Sequence, residues 1–362
     1  MSNEDNIIEI VSSILQRAIS LDASDIHLNP LKDMLEVKFR VDGLLCHYDF
    51  LKKNLEPEVI SRLKILSGLK IDEHRRPQDG RFKFQDVDVR ISIILSCHGE
   101  RVVLRLLHNG HKSFALNELG FSESSEKRIK NGLLNHSGLI LCTGPTGSGK
   151  TSTLYSLLQI LSSETKSIVT LEDPVEYLFN DIIQIQVSSS GNGGLSFVSG
   201  LRSVLRQDPN IIMVGEIRDE ETARIAVNAA LTGHLVLSTL HTNDATSAIP
   251  RLLDMGIPAY LLGATLRLVI AQRLVREICQ NCDTSAGGCD VCLHTGFSGR
   301  TSINEVLLFD DELLEIIHRQ CPLSNLRQAA ERKGMVGMKE DGLAKVNNGV
   351  TTLEEVIKAV HD

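Results

Sequence analysis

The spacing of apolar residues changes along this 362-residue chain. Ile7, Ile8, Val11, Ile14, Leu15 and Ala18 share one face of a helix over residues 5–20, a stripe that predicts packing against a core. Residues 34–41 alternate apolar with polar, as a half-buried strand does, and run into Asp42-Gly43, a hairpin signal. A helix is predicted from about Pro57 to Gly68. Three further stretches, near 81–85, 87–95 and 101–107, predict an antiparallel meander with Ser96-Cys97-His98-Gly99-Glu100 as its middle turn. His108 to Leu119 is polar and weakly periodic, and reads as a linker. From Gly138 onward, apolar runs at 138–143, 167–173, 211–215 and 234–240 are separated by helical spacing. That alternation predicts a mostly parallel sheet flanked by helices. The expected division is a small α/β domain over 1–107, a linker over 108–119 and a larger α/β domain over 120–362. Ser188 to Gly194 is polar and Gly-rich, a predicted mobile loop.

The chain is organised around one stretch. The run Gly138-Leu-Ile-Leu-Cys142 leads into Gly144, Pro145, Thr146, Gly147, Ser148, Gly149, Lys150 and Thr151, a full G-x-x-x-x-G-K-T phosphate loop. Ser152 opens a segment with helical spacing through Leu154, Leu157, Leu158 and Leu161. Glycines let backbone N–H groups turn inward around an anion, and the helix adds its positive end. Lys150 then reaches the outer phosphates, and the Thr151 hydroxyl can ligate Mg²⁺. Residues 144–152 are therefore expected to bind ATP or a related nucleoside triphosphate.

Other residues read as accessories to that loop. Glu172 and Asp173 end a neighbouring strand, where a carboxylate can polarise water or hold Mg²⁺ indirectly. The strand 211–214 ends in Gly215-Glu216, with Gly215 standing where a second nucleotide motif has Asp, so Glu216 is the nearest candidate for Mg²⁺. His234 and His241 bracket one strand and are candidate γ-phosphate sensors or interface hydrogen bonders; lone histidines are also commonly structural. Arg90 and Arg105 fall nearly opposite each other in the meander. Like charges across a sheet repel, so the pair either flanks an anion or stands solvated on an exposed face. Cys279-x-x-Cys282 with Cys289-x-x-Cys292 is a four-thiolate zinc pattern, structural because it leaves no open position. Its six-residue gap is short, but Gly287-Gly288 allows a tight return, and Arg276 and Arg300 are positioned to offset the thiolate charge.

Net charge of −8 and only 4% aromatics argue against nucleic acid as the main partner. No apolar run approaches the ~18 residues of a membrane span, and the acidic N-terminus lacks signal-peptide features. A cytoplasmic protein that docks peripherally at the inner face of a membrane is expected.

Together these residues resemble the secretion ATPases of type II secretion and of type IV pilus or competence-pseudopilus assembly. The resemblance extends to Ala23-Ser-Asp-Ile-His27, Arg75-Arg-Pro-Gln-Asp-Gly-Arg81, Leu205-Arg-Gln-Asp-Pro209, Val214-Gly-Glu-Ile-Arg-Asp219 and Phe297-Ser-Gly-Arg-Thr301. It implies a RecA-like P-loop ATPase domain preceded by a smaller, PAS-like α/β domain, assembled as a homohexamer acting on an inner-membrane platform protein. It also implies that Arg90 and Arg105 contact nucleotide phosphates, and that Glu172, Glu216, Lys150 and His234 serve catalysis. Such ATPases often carry a further N-terminal domain; this chain begins almost directly at the next one. Retraction motors share the core but generally lack the tetracysteine segment, so assembly or secretion is the expected role. The rival readings are a retraction ATPase, a nucleic-acid translocase and a non-hydrolysing scaffold.

Overall fold

In the computed structural model, which describes residues 3–108, 115–188, 194–282, 287–319 and 322–361, Asp42 and Gly43 both take left-handed backbone (φ 49° and 84°). Val41 then faces Leu44 across a two-residue turn. This hairpin belongs to a sheet built from β1 (Asp25–Pro30), β2 (Met34–Val41), β3 (Leu44–Lys52), β4 (Gln78–Phe84), β5 (Val87–Ser96) and β6 (Gly99–His108). Its order is β3-β2-β1-β6-β5-β4, and every neighbouring pair is antiparallel. Along β5, Val87, Val89, Ile91 and Ile93 are buried while Asp88, Arg90, Ser92 and Ile94 are exposed. The buried set packs with Ile7, Val11, Ile14 and Leu15 of helix α1 (Asn3–Ser20) and with Val59, Ile60 and Leu63 of α2 (Glu56–Leu66). Each such side chain contributes about 1.5–3 kcal/mol relative to exposure.

The chain divides into two compact units. The first holds Met1–His111 together with Cys279–Ser298, and the second holds Lys112–Ile278 with Gly299–Asp362. Within the first unit, Arg17 of α1 donates to the Asp290 carbonyl at 3.5 Å. Residues 109–114, half of the expected linker, and residues 189–193 of the expected mobile loop lie outside the described residues.

The second unit runs α3 (Glu123–Leu133), β7 (Gly138–Thr143), α4 (Lys150–Leu161), β8 (Ile168–Glu172), β9 (Ile183–Gln186), α5 (Phe197–Val204), β10 (Ile211–Val214), α6 (Glu220–Leu231) and β11 (Leu235–Leu240). It continues through α7 (Ala248–Asp254), α8 (Ala259–Thr265), β12 (Leu266–Ile278), β13 (Phe297–Leu308), α9 (Asp311–His318), α10 (Leu323–Arg332), α11 (Met338–Asn347) and α12 (Leu353–His361). The strand order is β13-β12-β7-β11-β10-β8-β9, with parallel pairing from β12 through to β9. Both faces are covered. Leu139 and Leu141 of β7 join the core that includes α5 and α6, whereas Ile140 and Cys142 join the core of α3 and α4. This explains why the strand is apolar at successive positions rather than at alternate ones.

Candidate nucleotide site

The loop after β7 depends on glycine at two points. At Gly144 (φ 147°) a Cβ would lie 2.4 Å from the Ser148 hydroxyl and 2.5 Å from the Gln272 carbonyl. At Gly149 (φ 86°), which caps α4, it would lie 2.8 Å from Gln272 Nε2. Ser148 is only 3% exposed, and its hydroxyl has no hydrogen-bond partner among the described residues. An unpaired buried hydroxyl costs stability unless something else meets it. An orphan donor within a glycine loop at a helix N-terminus fits a polyphosphate. Lys150 Nζ donates to the carbonyls of Gly144 (2.8 Å) and Pro145 (2.7 Å). Burial pulls its ammonium down to about 8.

The loop is held from below by a residue the sequence did not announce. Gln272 of β12, 2% exposed, donates from Nε2 to the Ser148 carbonyl and accepts at Oε1 from the Thr153 hydroxyl, both at 2.7 Å. One amide thus joins the loop and the first turn of α4 to the neighbouring strand.

A cavity of about 500 Å³ opens over the loop, with Glu172, Glu216, Arg218, His241 and Arg300 in its lining. Glu172, at the end of β8, is 3% exposed. It accepts from the Thr170 hydroxyl (2.6 Å) and Gln184 Nε2 (3.1 Å) at Oε1, and from the Tyr155 phenol at Oε2. Glu216 follows β10 and pairs with Arg218, and His241 Nε2 lies 3.9 Å from its Oε2. Burial and the Lys150 charge hold the His241 imidazole below its ordinary value. Asp219, the last residue of the Gly215–Asp219 stretch, accepts from Thr222 N at 2.8 Å and caps α6.

His234 does not join this group. It precedes β11 at the strand's N-terminal end, with Nδ1 3.0 Å from the Ala229 carbonyl, and lines a separate cavity beside Lys166 and Asp208. β11 is parallel to β7, so the phosphate loop sits at the opposite end, about 20 Å away for six residues of strand. The histidine at that end is His241.

Arg90 and Arg105 face each other directly across β5 and β6, and Arg81 faces Arg90 from β4. Asp25 offsets the end of this row: its Oδ1 accepts from Arg105 Nε at 3.0 Å, and Arg40 Nε lies 3.6 Å from its Oδ2. Among the described residues, Arg81 and Arg90 make no ion pair.

The four cysteines converge. Their sulfurs lie within 4.8 Å of one another, at 4.0 Å for Cys279–Cys289 and 3.8 Å for both Cys282–Cys292 and Cys289–Cys292. A tetrahedron of thiolates at a Zn–S distance of about 2.3 Å has edges of about 3.8 Å, so the donor set fits Zn²⁺ without rearrangement. Gly288 has φ 81°, and a Cβ there would fall 2.5 Å from the His294 backbone. Burial opposes ionisation of Cys292, yet the N–H groups of Cys289 and Gly296 bring its thiol down to about 6. Of the arginines expected to balance the thiolate charge, Arg276 also forks onto Glu355 at 2.9 and 2.6 Å, and Arg300 also lines the nucleotide cavity.

A phosphate loop between a buried parallel strand and a helix, with carboxylates at the ends of two nearby strands of the same sheet, defines a RecA-like P-loop ATPase. The chain belongs to the family described as Type II/IV secretion system protein, which matches residues 1–358, and is an ATP-hydrolysing member of it. It is 45% identical over 366 residues to the type II secretion system protein HxcR of Pseudomonas aeruginosa, covering 98% of this chain and 78% of that protein. Identity to the type IV pilus assembly ATPase PilB of Thermus thermophilus is 42% over 378 residues, covering 96% of this chain and 42% of that protein. Among solved structures, the pilus retraction motor PilT with bound ADP superposes with a TM-score of 0.70 at 29% identity, covering 97% of each chain. No helix among the described residues is long and apolar enough to cross a membrane.

Proposed function

We propose that this protein is a cytoplasmic, membrane-peripheral motor that hydrolyses Mg-ATP as a homohexamer and drives assembly of a secretion pseudopilus or pilus through an inner-membrane platform protein. The observation that carries the reading is the phosphate-loop cavity, with its two unlike carboxylates, in a chain matched almost end to end by the secretion-ATPase family. Assembly is favoured over retraction because the relatives at 41–45% identity include type II secretion proteins and pilus assembly ATPases, while the retraction motor stands at 29%.

The residues divide the work as follows. The N–H groups of the loop from Thr146 to Thr151, with Ser152 on the first turn of α4, cradle the phosphates, Gly144 and Pro145 shape the turn that leads into them, and the Ser148 hydroxyl and Lys150 supply donors. Thr151 and Glu216 would hold Mg²⁺, which would supply positive charge against the phosphates. Glu216 suits this place because it lines the cavity beside Thr151. Glu172 is the general base: its three protein donors fix its direction, as a group that must take a proton from one water requires. Arg90 and Arg105, in a row with Arg81, carry the charge density of a phosphate-binding pair. Cys279, Cys282, Cys289 and Cys292 hold a structural Zn²⁺.

Lys150→Ala should abolish hydrolysis while the fold survives; full Mg-ATPase activity in that variant refutes the site. Glu216→Gln, intended to stall with ATP bound, should retain a polytopic platform protein when captured from native membranes. Recovery of DNA or replication proteins would favour a translocase instead.

A further inference from the structure

Tyr155 stands on the second turn of α4, five residues after the phosphate-loop lysine, and is fully buried. It does not line the nucleotide cavity, whereas Glu172 does. Its ring packs edge-on against Tyr177 (centroids 5.9 Å apart) and Phe179 (5.1 Å). Those contacts would serve a phenylalanine equally well. The hydroxyl is therefore the part that needs a reason. It accepts from Glu176 N at 3.4 Å and donates to Glu172 Oε2.

An ionised carboxylate offers about four acceptor positions. Thr170 and Gln184 take both positions on Oε1, and Tyr155 takes one on Oε2. Among the described residues, one position remains, on Oε2. We propose that Tyr155 is a positioning residue for ATP hydrolysis: its phenol fixes the Glu172 carboxylate so that this single open position on Oε2 is the one offered to the attacking water. The helix that begins at the phosphate loop thereby also sets the base, and electrophile and base are registered by one rigid element. The proposal rests on the reading of Glu172 as the general base.

The test is steady-state ATPase kinetics of the full chain, with fluorescent-nucleotide binding and a thermal melt as controls. Tyr155→Phe keeps the ring and removes the donor to Glu172 together with the long 3.4 Å contact from Glu176 N. It should lower kcat about ten- to hundredfold, the scale of a small misplacement of a reacting group, with KM for ATP and nucleotide affinity within about twofold. Glu172→Gln should lower kcat further, and adding Tyr155→Phe to it should change nothing more, because the two act as a unit. Equal losses from Tyr155→Phe in both backgrounds, or a rise in KM matching the fall in kcat, would overturn the proposal. Unchanged kcat in Tyr155→Phe with Glu172→Gln inactive overturns the proposal alone. Full activity in Glu172→Gln removes the base assignment and the proposal with it.

Discussion

Replacing Gln272 with methionine isolates the support beneath the phosphate loop, because the side chain keeps its length and loses both hydrogen bonds. The Ser148 carbonyl and the Thr153 hydroxyl each lose a 2.7 Å partner in a place with almost no access to water. A buried polar group left without a partner costs about 1–3 kcal/mol, and relief from burying the glutamine amide returns part of that. The net expectation is about 2–4 kcal/mol. At about 2–4 °C per kcal/mol for a domain of this size, melting should fall by about 5–15 °C. Binding should suffer as well, since the released segment holds Ser148 and Gly149; the dissociation constant for ADP should rise about tenfold. Differential scanning fluorimetry and a fluorescent-ADP titration read both quantities. Gln272→Glu sharpens the result: a carboxylate still accepts from Thr153 but cannot donate to Ser148, and its charge stands near the phosphates. Affinity should therefore be lower in Gln272→Glu than in Gln272→Met. A melting temperature within about 1 °C of the parent, with unchanged affinity, would refute the claim that β12 braces the loop.

Two other outcomes follow from titratable groups. Burial brings free Lys150 down to about 8. Phosphates favour its ammonium, so nucleotide affinity should fall by up to about tenfold per pH unit above pH 8 until the higher bound-state value is reached. Titrations from pH 7 to 9.5 measure this, and Lys150→Arg should flatten the slope; a flat profile in the parent protein rules the argument out. The cysteine tetrahedron should bind about one zinc per chain, and cobalt in its place should give the intense visible bands of a tetrahedral thiolate site. Metal analysis finding none in protein purified without chelator, or Cys282→Ser retaining full zinc, would dismiss the site.

Some of this was legible in the sequence because the physics is local. Phosphate loops need glycine at fixed backbone positions, and β7 was bounded at its observed ends because a strand covered on both faces has no polar position to blur it. The Asp42-Gly43 turn and the direct opposition of Arg90 and Arg105 follow from hairpin register alone. What went unread depends on distant neighbours. β12 carries Gln272 and Arg273 in its middle, and these break the apolar run that marks a buried strand. Tyr155 looks like one more core residue until β8 brings Glu172 against it. Arg276 finds Glu355 79 residues away, which no spacing rule anticipates. His234 and His241 are the same residue type on one strand, and only the strand's direction separates the end that meets phosphate from the end that does not.

The segment Cys279–Ser298 gives the first unit a part that arrives late. Its six strands and two helices have all been synthesised by residue 108, yet the cysteine segment emerges some 170 residues after the rest of that unit. At about 5–20 residues per second, this is a wait of about 10–30 s on the ribosome. During that time the antiparallel sheet must stand on its own hydrophobic core, and strands β7 to β12 of the second unit are made before the first is complete. Order of manufacture therefore ties the two units' completion together: a chain that stops before the last cysteine yields a first unit without its four-cysteine cluster, however well its sheet has formed.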